Sequence, residues 1–388
     1  YRGLMKLANE QGDPARALTY AQAALAQRIA EYGPDSQKAG TGYYDLGYAL
    51  EATGQFDDAA NAYRHVHEID LLHLAPGSFD LMEGLGGEGA AELFAGQLHA
   101  GRDHLREALK IADHVGGKPR ELQASYAEQL CFAGLTMAPA AADKVCARAT
   151  QLDTAVFGAT SARYGLGLRL TGMLAIERGE LVGARATLNQ STALLATADN
   201  VAWRGRTAIT LGEVDLIEGR NDEAVQALAT GIEQFGKSYP PHLRRIGLAL
   251  LALACDRAPA PNCPANAFEH AATELAAVAY QWNPMLLPAQ IALARVDLAH
   301  ARVAAASERL RTAIAHAENE VDSTQPRLLE ARLWLADAEA AAGSCDTARA
   351  SAQATVLTVR KNHLETHPLL AAALKATADS KPCGSLVQ

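Results

Sequence analysis

Residues 43–63 read YYDLGYALEATGQFDDAANAY, and degraded copies of this pattern recur along the 388-residue chain. Each copy places a small residue inside a first helix, a glycine at the end of that helix, and an alanine five residues later in a second helix. In residues 43–63 these are Gly47, Gly54 and Ala59. The two small side chains let the helices approach closely, and the glycine supplies a left-handed turn. The pattern therefore predicts a series of helical hairpins.

The turn glycine gives the repeat a period of about 42 residues. It stands at Gly12, Gly54, Gly96, Gly134, Gly179, Gly219 and Gly343. The interval before the last of these has room for further copies, with Asp256 and His300 near the expected turn places. We predict nine hairpins and a capping helix over 366–379. The hairpins lie near residues 1–37, 38–80, 81–117, 118–155, 160–200, 201–238, 241–282, 285–322 and 325–362.

The predicted fold class follows from this period and from the absence of any long alternation of polar and apolar residues. It is all-α, a single right-handed α-solenoid over residues 1–388. The pattern resembles the tetratricopeptide repeat, in the long variety found in kinesin light chains and many bacterial regulators. Residues 32–35 (YGPD) and 363–368 (HLETHP) match that variety as well. The resemblance covers nearly all of the chain, and it implies a concave groove, lined by the first helices, that binds a protein or peptide.

The resemblance also implies which side chains face the groove. They are aromatic, charged or long side chains near the small residue of each first helix, a composition typical of interface hot spots. The alternative is that each aromatic ring simply packs on the next helix. The implied groove residues are Tyr44, Tyr48, Glu51, Phe94, Glu128, Phe132, Arg169, Met173, Glu177, Arg206, Glu213, Gln290 and Asp297.

Arginines gather near the starts of the middle first helices, although the chain as a whole is acidic. Because arginine binds carboxylates and phosphates through two parallel hydrogen bonds, such a group could hold an anionic ligand. It could equally be a solvated rim, paired with glutamates of neighbouring repeats, and we favour the rim. The residues are Arg163, Arg169, Arg204, Arg206, Arg244 and Arg245, with Trp203 among them.

Composition narrows the classes of partner. The net charge is −9 and no basic stripe is visible, so we expect no nucleic-acid partner. The longest uncharged apolar run, residues 246–255, is far shorter than the roughly 20 residues of a membrane-spanning helix. No signal peptide is visible, and the chain begins at Tyr1 inside a repeat. We therefore expect a fragment excised from a longer protein.

The six cysteines fall into three local pairs: Cys131 with Cys146, Cys255 with Cys263, and Cys345 with Cys383. Six cysteines allow 15 connectivities, and the alternative is six unrelated buried thiols. If disulfides form, the compartment is oxidising, which in a bacterium means the periplasm. If the thiols are reduced, a cytoplasmic location is the alternative.

Two further motifs have structural interpretations. Residues 84–89 match GxGxxG, but no strand precedes them, so we expect no dinucleotide site. We expect the glycine run to weaken the start of its helix and to mark a flexible joint. His363 and His367 stand beside Pro368 without the glutamate of a zinc motif, so we predict no metal site and no cofactor.

The resulting functional prediction is a non-catalytic module that binds a protein or peptide. We expect it to be the extracytoplasmic sensor region of a membrane-anchored bacterial signalling protein. The missing upstream part would then be a Ser/Thr kinase or a winged-helix regulator. The alternative is a cytosolic scaffold, or the sensor arm of a transcriptional regulator. A homodimer through an exposed end of the stack is an open alternative to the monomer.

Overall fold

The computed structural model describes residues 2–76, 78–196, 200–236, 241–278, 280–380 and 383–386. Tyr1, on which the expectation of an excised fragment depends, and Gln388 lie outside these residues. Within them the regular elements are helices, without strands. The first eight are α1 (Arg2–Glu10), α2 (Pro14–Tyr32), α3 (Gln37–Ala52), α4 (Phe56–His73), α5 (Leu81–Ala95), α6 (Leu98–Val115), α7 (Glu121–Met137) and α8 (Asp143–Phe157).

The remaining helices are α9 (Ala162–Glu177), α10 (Leu181–Leu195), α11 (Val201–Ile217), α12 (Asn221–Phe235), α13 (Pro241–Arg257), α14 (Ala267–Ala276), α15 (Leu287–Ala299), α16 (Val303–Ala317), α17 (Pro326–Ala341), α18 (Cys345–Lys361) and α19 (Pro368–Asp379). Short 3-10 turns cover Pro139–Ala141 and Pro284–Leu286. The described helices pack in neighbouring pairs, as in tetratricopeptide-like solenoids. The predicted fold class is confirmed.

The small residues of the repeat lie where each pair packs most closely. A methyl group added to Gly172 or Gly212 would come within 2.7 Å or 2.6 Å of the leucine on the opposite helix. The repeat alanines, such as Ala59 and Ala224, are fully buried. Sequence reasoning about close helix approach therefore describes the contact correctly.

The turn glycines mostly take the predicted left-handed conformation, with φ between 70° and 99° from Gly12 to Gly343. Gly134 is the exception and was predicted wrongly, because it lies inside α7, which continues to Met137. The turn of that pair instead contains the 3-10 segment beginning at Pro139. In the eighth pair the left-handed place belongs to Ala301, with φ 57°, next to the expected His300.

The chain divides into two compact units. Unit 1 comprises residues 1–134, 144–158 and 239–241, and unit 2 comprises residues 135–143, 159–238 and 242–388. The single continuous solenoid over 1–388 stays a prediction.

In unit 1 the glycine run lies in the middle of α5, in close contact with its neighbours. A methyl group on Gly86 would lie 2.1 Å from the Tyr126 ring, and one on Gly87 would lie 2.7 Å from the Tyr63 ring. The expectation of a flexible joint is therefore wrong: the glycines accommodate two tyrosine rings.

Unit 2 departs from a simple stack, because helices far apart in sequence meet. Arg327 at the start of α17 donates to Glu177 at the end of α9 across 2.9 Å, and to Glu213 of α11 across 2.6 Å. Before α19, His367 Nε2 lies 3.1 Å from the backbone oxygen of Glu177. These contacts join the first helices of the fifth and sixth pairs to the end of the chain.

Candidate functional site

The predicted groove residues of α3 differ strongly in exposure. Tyr48 is 53% exposed, whereas Tyr44 is half-buried, with its ring edge-on to Tyr63 at 5.6 Å. Glu51 is 9% exposed, and its burial raises its pKa to about 8, although the Tyr63 hydroxyl donates to it. Of the three predicted groove residues of α3, Tyr48 is therefore the one with an exposed side chain.

The predicted aromatic residues farther along unit 1 are part of the packed interior. Phe94 is 2% exposed and packs on Phe56 with ring centroids 5.4 Å apart. Phe132 is also buried, and Glu128 is half-buried. For Phe94 the alternative interpretation, an aromatic ring that packs on a neighbouring helix, describes the contact.

In unit 2 one of the predicted arginines of α9 and α11, Arg169, is buried, and the others are half-buried. Arg169 is 8% exposed; its Nη1 lies 2.8 Å from Met173 Sδ and 3.5 Å from Thr210 Oγ1. Arg206 is half-buried, with its guanidinium over the Phe235 ring at 5.8 Å. Trp203 is half-buried one turn before it on α11. The interpretation as a solvated rim is therefore wrong for Arg169.

His242 at the start of α13 shows how much positive charge gathers at this point. Its side chain is buried, and the pKa falls to about 3 because burial removes solvent and because Arg169, Arg206 and Arg245 repel a proton. Arg245 itself donates to the Tyr280 hydroxyl across 3.0 Å. We call Arg169, Arg206, His242 and Arg245 the arginine cluster. Sequence reasoning found the arginines and missed His242, whose position near the start of a first helix, like theirs, was the available signal.

Arg244 contacts a different element, because its Nη2 lies 4.0 Å from Glu274 of α14. The predicted groove residues of α15 also face elsewhere. Gln290 accepts from Arg309 of α16, and Asp297 pairs with Arg302 and Arg309. Gln290 and Asp297 are therefore positions that hold a hairpin together.

The other end of the unit 2 first helices carries a second charged group. Predicted groove residues Glu177 and Glu213 both bind Arg327, which also lies 3.8 Å from Glu330. Burial opposes the charge of Arg327, but the three carboxylates outweigh it and raise the pKa. A cavity of about 70 Å³ adjoins this group, lined by Leu250, Leu253, Ile291 and Arg295 among others. The arginine cluster is thus cationic, whereas in the Arg327 group three carboxylates surround one guanidinium.

One group in unit 1 resembles a metal site and was missed from sequence. Ligand atoms of Glu88, Glu92 and His104 lie within 4.8 Å of one another. His104 Nδ1 is 2.7 Å from a Glu92 oxygen, and Arg64 Nε donates to Glu88 across 2.7 Å. Since each carboxylate already has a protein partner, these contacts describe an ion-pair cluster between neighbouring helices.

Three disulfides join the cysteines in the pairs that their local spacing indicated. The first connects α7 to α8, the second closes the proline-containing loop after α13, and the third ties the start of α18 to residue 383. All six cysteines are bonded.

Comparisons with known proteins agree with this architecture. Residues 3–71 match the tetratricopeptide repeat family. A Rap protein complexed with competence and sporulation factor shares the fold, with a TM-score of 0.58 and 13% identity over 72% of this chain and 75% of that one. The apo form of RapI gives a TM-score of 0.47 and 14% identity, and covers 94% and 97% of the two chains. No curated protein matches the sequence.

A further structural neighbour carries kinesin light chain TPR-like repeats from Podosopora anserina. It is 14% identical, with a TM-score of 0.43 over 51% of this chain and 94% of that one. Residues 3–71 are thus similar to the tetratricopeptide repeat family, and the chain shares its fold with the Rap protein. The described helices include none long and apolar enough to cross a bilayer.

Proposed function

We propose that this chain binds a protein or peptide partner, and that the arginine cluster of unit 2 holds a carboxylate of that partner. The observation that carries the proposal is the burial of Arg169 beside Arg206, His242 and Arg245 in a protein of net charge −9. Arginine is the residue best suited to hold a carboxylate, because its planar fork matches two oxygens.

The fold supports this proposal without identifying the ligand. A tetratricopeptide solenoid presents its first helices side by side, so one bound chain can contact several of them. The Rap protein of similar fold was solved with competence and sporulation factor bound. An extended peptide with an acidic side chain or a free C-terminal carboxylate is the ligand class that fits the charge of the cluster.

The test is an affinity selection of random peptides on the purified chain, followed by direct titration of the selected peptides. We expect these peptides to need a carboxylate and to bind about tenfold or more weakly to Arg206→Gln, since a charge-assisted contact contributes about 1.5–3 kcal/mol. Arg332→Gln is the matched control, because Arg332 pairs with Glu318 across 2.8 Å outside the cluster. Equal binding to wild type and Arg206→Gln would reject the cluster as the site.

We also propose that the module works in an oxidising compartment, as the extracytoplasmic sensor region of a membrane-anchored signalling protein. The support is the formation of three disulfides by all six cysteines. The test is intact-mass counting of alkylated thiols, without reductant, on protein exported to a bacterial periplasm. We expect no alkylated thiol in the folded protein. Six alkylated thiols in a folded, ligand-binding protein would instead favour the cytosolic scaffold.

A further inference from the structure

A second pocket of unit 2 lies away from the arginine cluster, where four interhelical turns meet. It is bounded by the segments 138–141, 177–180, 322–326 and 362–367, and we call it the seam pocket. Its volume is about 510 Å³, within the range of roughly 300–1,000 Å³ that is usual for ligand sites. It shares no lining residue with the arginine cluster.

Contacts between the four segments hold the seam pocket in shape. The Asp322 amide donates to the Met137 carbonyl across 2.8 Å, and Arg178 Nε donates to the Pro139 carbonyl across 3.3 Å. Gly179 lies so close to Pro368 that an added methyl group would come within 2.8 Å of its ring. A pocket fixed in this way needs little ordering when a ligand enters.

The polar groups of the seam pocket give it a negative charge. Asp322 accepts two hydrogen bonds from Thr324, which lower its pKa and keep it ionised. Glu180 is exposed, and its carboxylate makes no ion pair with any described residue. The cation in the lining, Arg178, is neutralised by Asp143 at 2.6 Å, and burial lowers the pKa of His367 so that it stays neutral.

The rest of the lining is apolar or uncharged, apart from Glu177, whose carboxylate is paired with Arg327. Ala138, Ala140, Pro326 and Leu364 provide carbon surface beside the two carboxylates. A ligand that satisfies both parts needs a cationic head for Glu180 and Asp322 and a short hydrocarbon stem for the apolar wall. Alkyl guanidinium and alkyl ammonium groups have this construction.

We propose that the seam pocket binds a guanidinium or primary ammonium group on a short alkyl stem. Such a group is either the head of a free small amine or the side chain of an arginine or lysine in a partner protein. Because the bound group would touch segments from four interhelical turns, it would stabilise the contact between the end of α9 and the starts of α17 and α19. The ligand would therefore raise the melting temperature of unit 2 through preferential binding to the folded state.

The test is isothermal titration of the whole chain with agmatine, and separately with an acetylated, amidated tripeptide that carries arginine between two alanines. Saturable binding of agmatine identifies a free amine as a ligand, and binding of the tripeptide alone identifies a partner side chain. A tripeptide with glutamine in the middle is the control and should not bind. If neither agmatine nor the arginine tripeptide binds, the proposal is wrong.

Charge variants locate the binding. We expect Glu180→Gln to lower the affinity for the probe about tenfold, and Asp322→Asn to lower it by about the same factor. Asp322→Asn loses a carboxylate that accepts hydrogen bonds within its own turn, so this variant could disrupt folding. Glu180 is exposed and makes no ion pair with a described residue, so Glu180→Gln should fold in any case. Glu308→Gln, on the exposed face of α16, is the matched control and should bind as wild type does. Unchanged affinity of Glu180→Gln for the probe would overturn the proposal for the seam pocket. The proposal for the arginine cluster would still stand.

Discussion

At the scale of single residues, Ala301 shows where the repeat departs from its own rule. Six of the seven predicted turn glycines lie in the left-handed region, whereas at the turn of the eighth pair Ala301 adopts φ 57° with a Cβ atom present. A non-glycine residue in this region costs about 1 kcal/mol or more. The sequence predicted the turn within one residue but not the strain, because an alanine does not by itself indicate a left-handed turn.

Replacing this alanine should stabilise the protein. We expect Ala301→Gly to raise the free energy of unfolding by about 0.5–1 kcal/mol, since the relief of strain exceeds the entropy that glycine adds to the unfolded chain. Urea denaturation measures the change. Gly343→Ala is the reciprocal control, because Gly343 occupies the same turn place with φ 81° and should lose about 1 kcal/mol. A destabilised Ala301→Gly protein would contradict the account of this turn.

Glu51 was predicted from the family resemblance to face the groove, but burial dominates its chemistry. Its pKa of about 8 lies above the unfolded value, so the folded state binds the proton more tightly. Its contribution to stability is present below about pH 4.5 and is lost as pH rises through 8. Because of Glu51, the free energy of unfolding of the wild type should fall by roughly 2–4 kcal/mol between pH 5 and pH 8, and Glu51→Gln should lack this fall. Urea denaturation at the two pH values measures the difference. Parallel pH profiles for variant and wild type would contradict this assignment.

At the scale of elements, the repeat pattern predicts most helices, because each pair is specified by local contacts between small residues. The glycine run of α5 shows the limit of that logic. Its letters suggest weak helix formation, whereas in the structure Tyr63 and Tyr126 fill the space that side chains would need. Gly134 was misassigned for the same kind of reason, since a glycine letter alone does not distinguish a turn from a packed helix interior.

This packing gives a test with a helical control. Gly86→Ala should lower the free energy of unfolding by at least about 2 kcal/mol, because the new methyl group would meet the Tyr126 ring at 2.1 Å. Gly183→Ala, in α10, should instead gain about 0.5 kcal/mol, since nothing lies within 4 Å of the added methyl group. Thermal or urea unfolding measures both. A Gly86→Ala protein as stable as Gly183→Ala would show that α5 is not packed as described.

At the scale of the whole molecule, unit 2 contains contacts that no repeat period specifies. A repeat pattern predicts which neighbours touch, but Glu177 and Arg327 are joined although many helices separate them in the sequence. The groove prediction placed Glu177 and Glu213 toward a ligand, whereas in the structure both bind Arg327. The arginines of the cluster could be recognised because they lie in the first halves of successive first helices, whereas their burial depends on packing across several pairs.

The Arg327 group should be a main source of stability for unit 2. Arg327→Gln should cost about 3–5 kcal/mol at pH 8, because removing one partner leaves Glu177 and Glu213 buried beside each other. The loss should shrink at pH 5, since burial already raises the pKa of Glu213 and of Glu330, the latter to about 7, and protonation removes their repulsion. Arg332→Gln, at a more exposed pair, should cost about 1 kcal/mol or less. Equal losses for the two variants would contradict the network.

The central claim is that a carboxylate of a bound peptide enters the arginine cluster, and His242 is its natural probe. The most direct measurement is an NMR titration of the His242 imidazole in free protein and with a saturating selected peptide, assigned by loss of the signal in His242→Gln. Because an added anion offsets the repulsion by Arg169, Arg206 and Arg245, the account predicts that the peptide raises the His242 pKa from about 3 toward its ordinary value. An unchanged His242 pKa in the saturated complex would contradict the claim and place the ligand elsewhere.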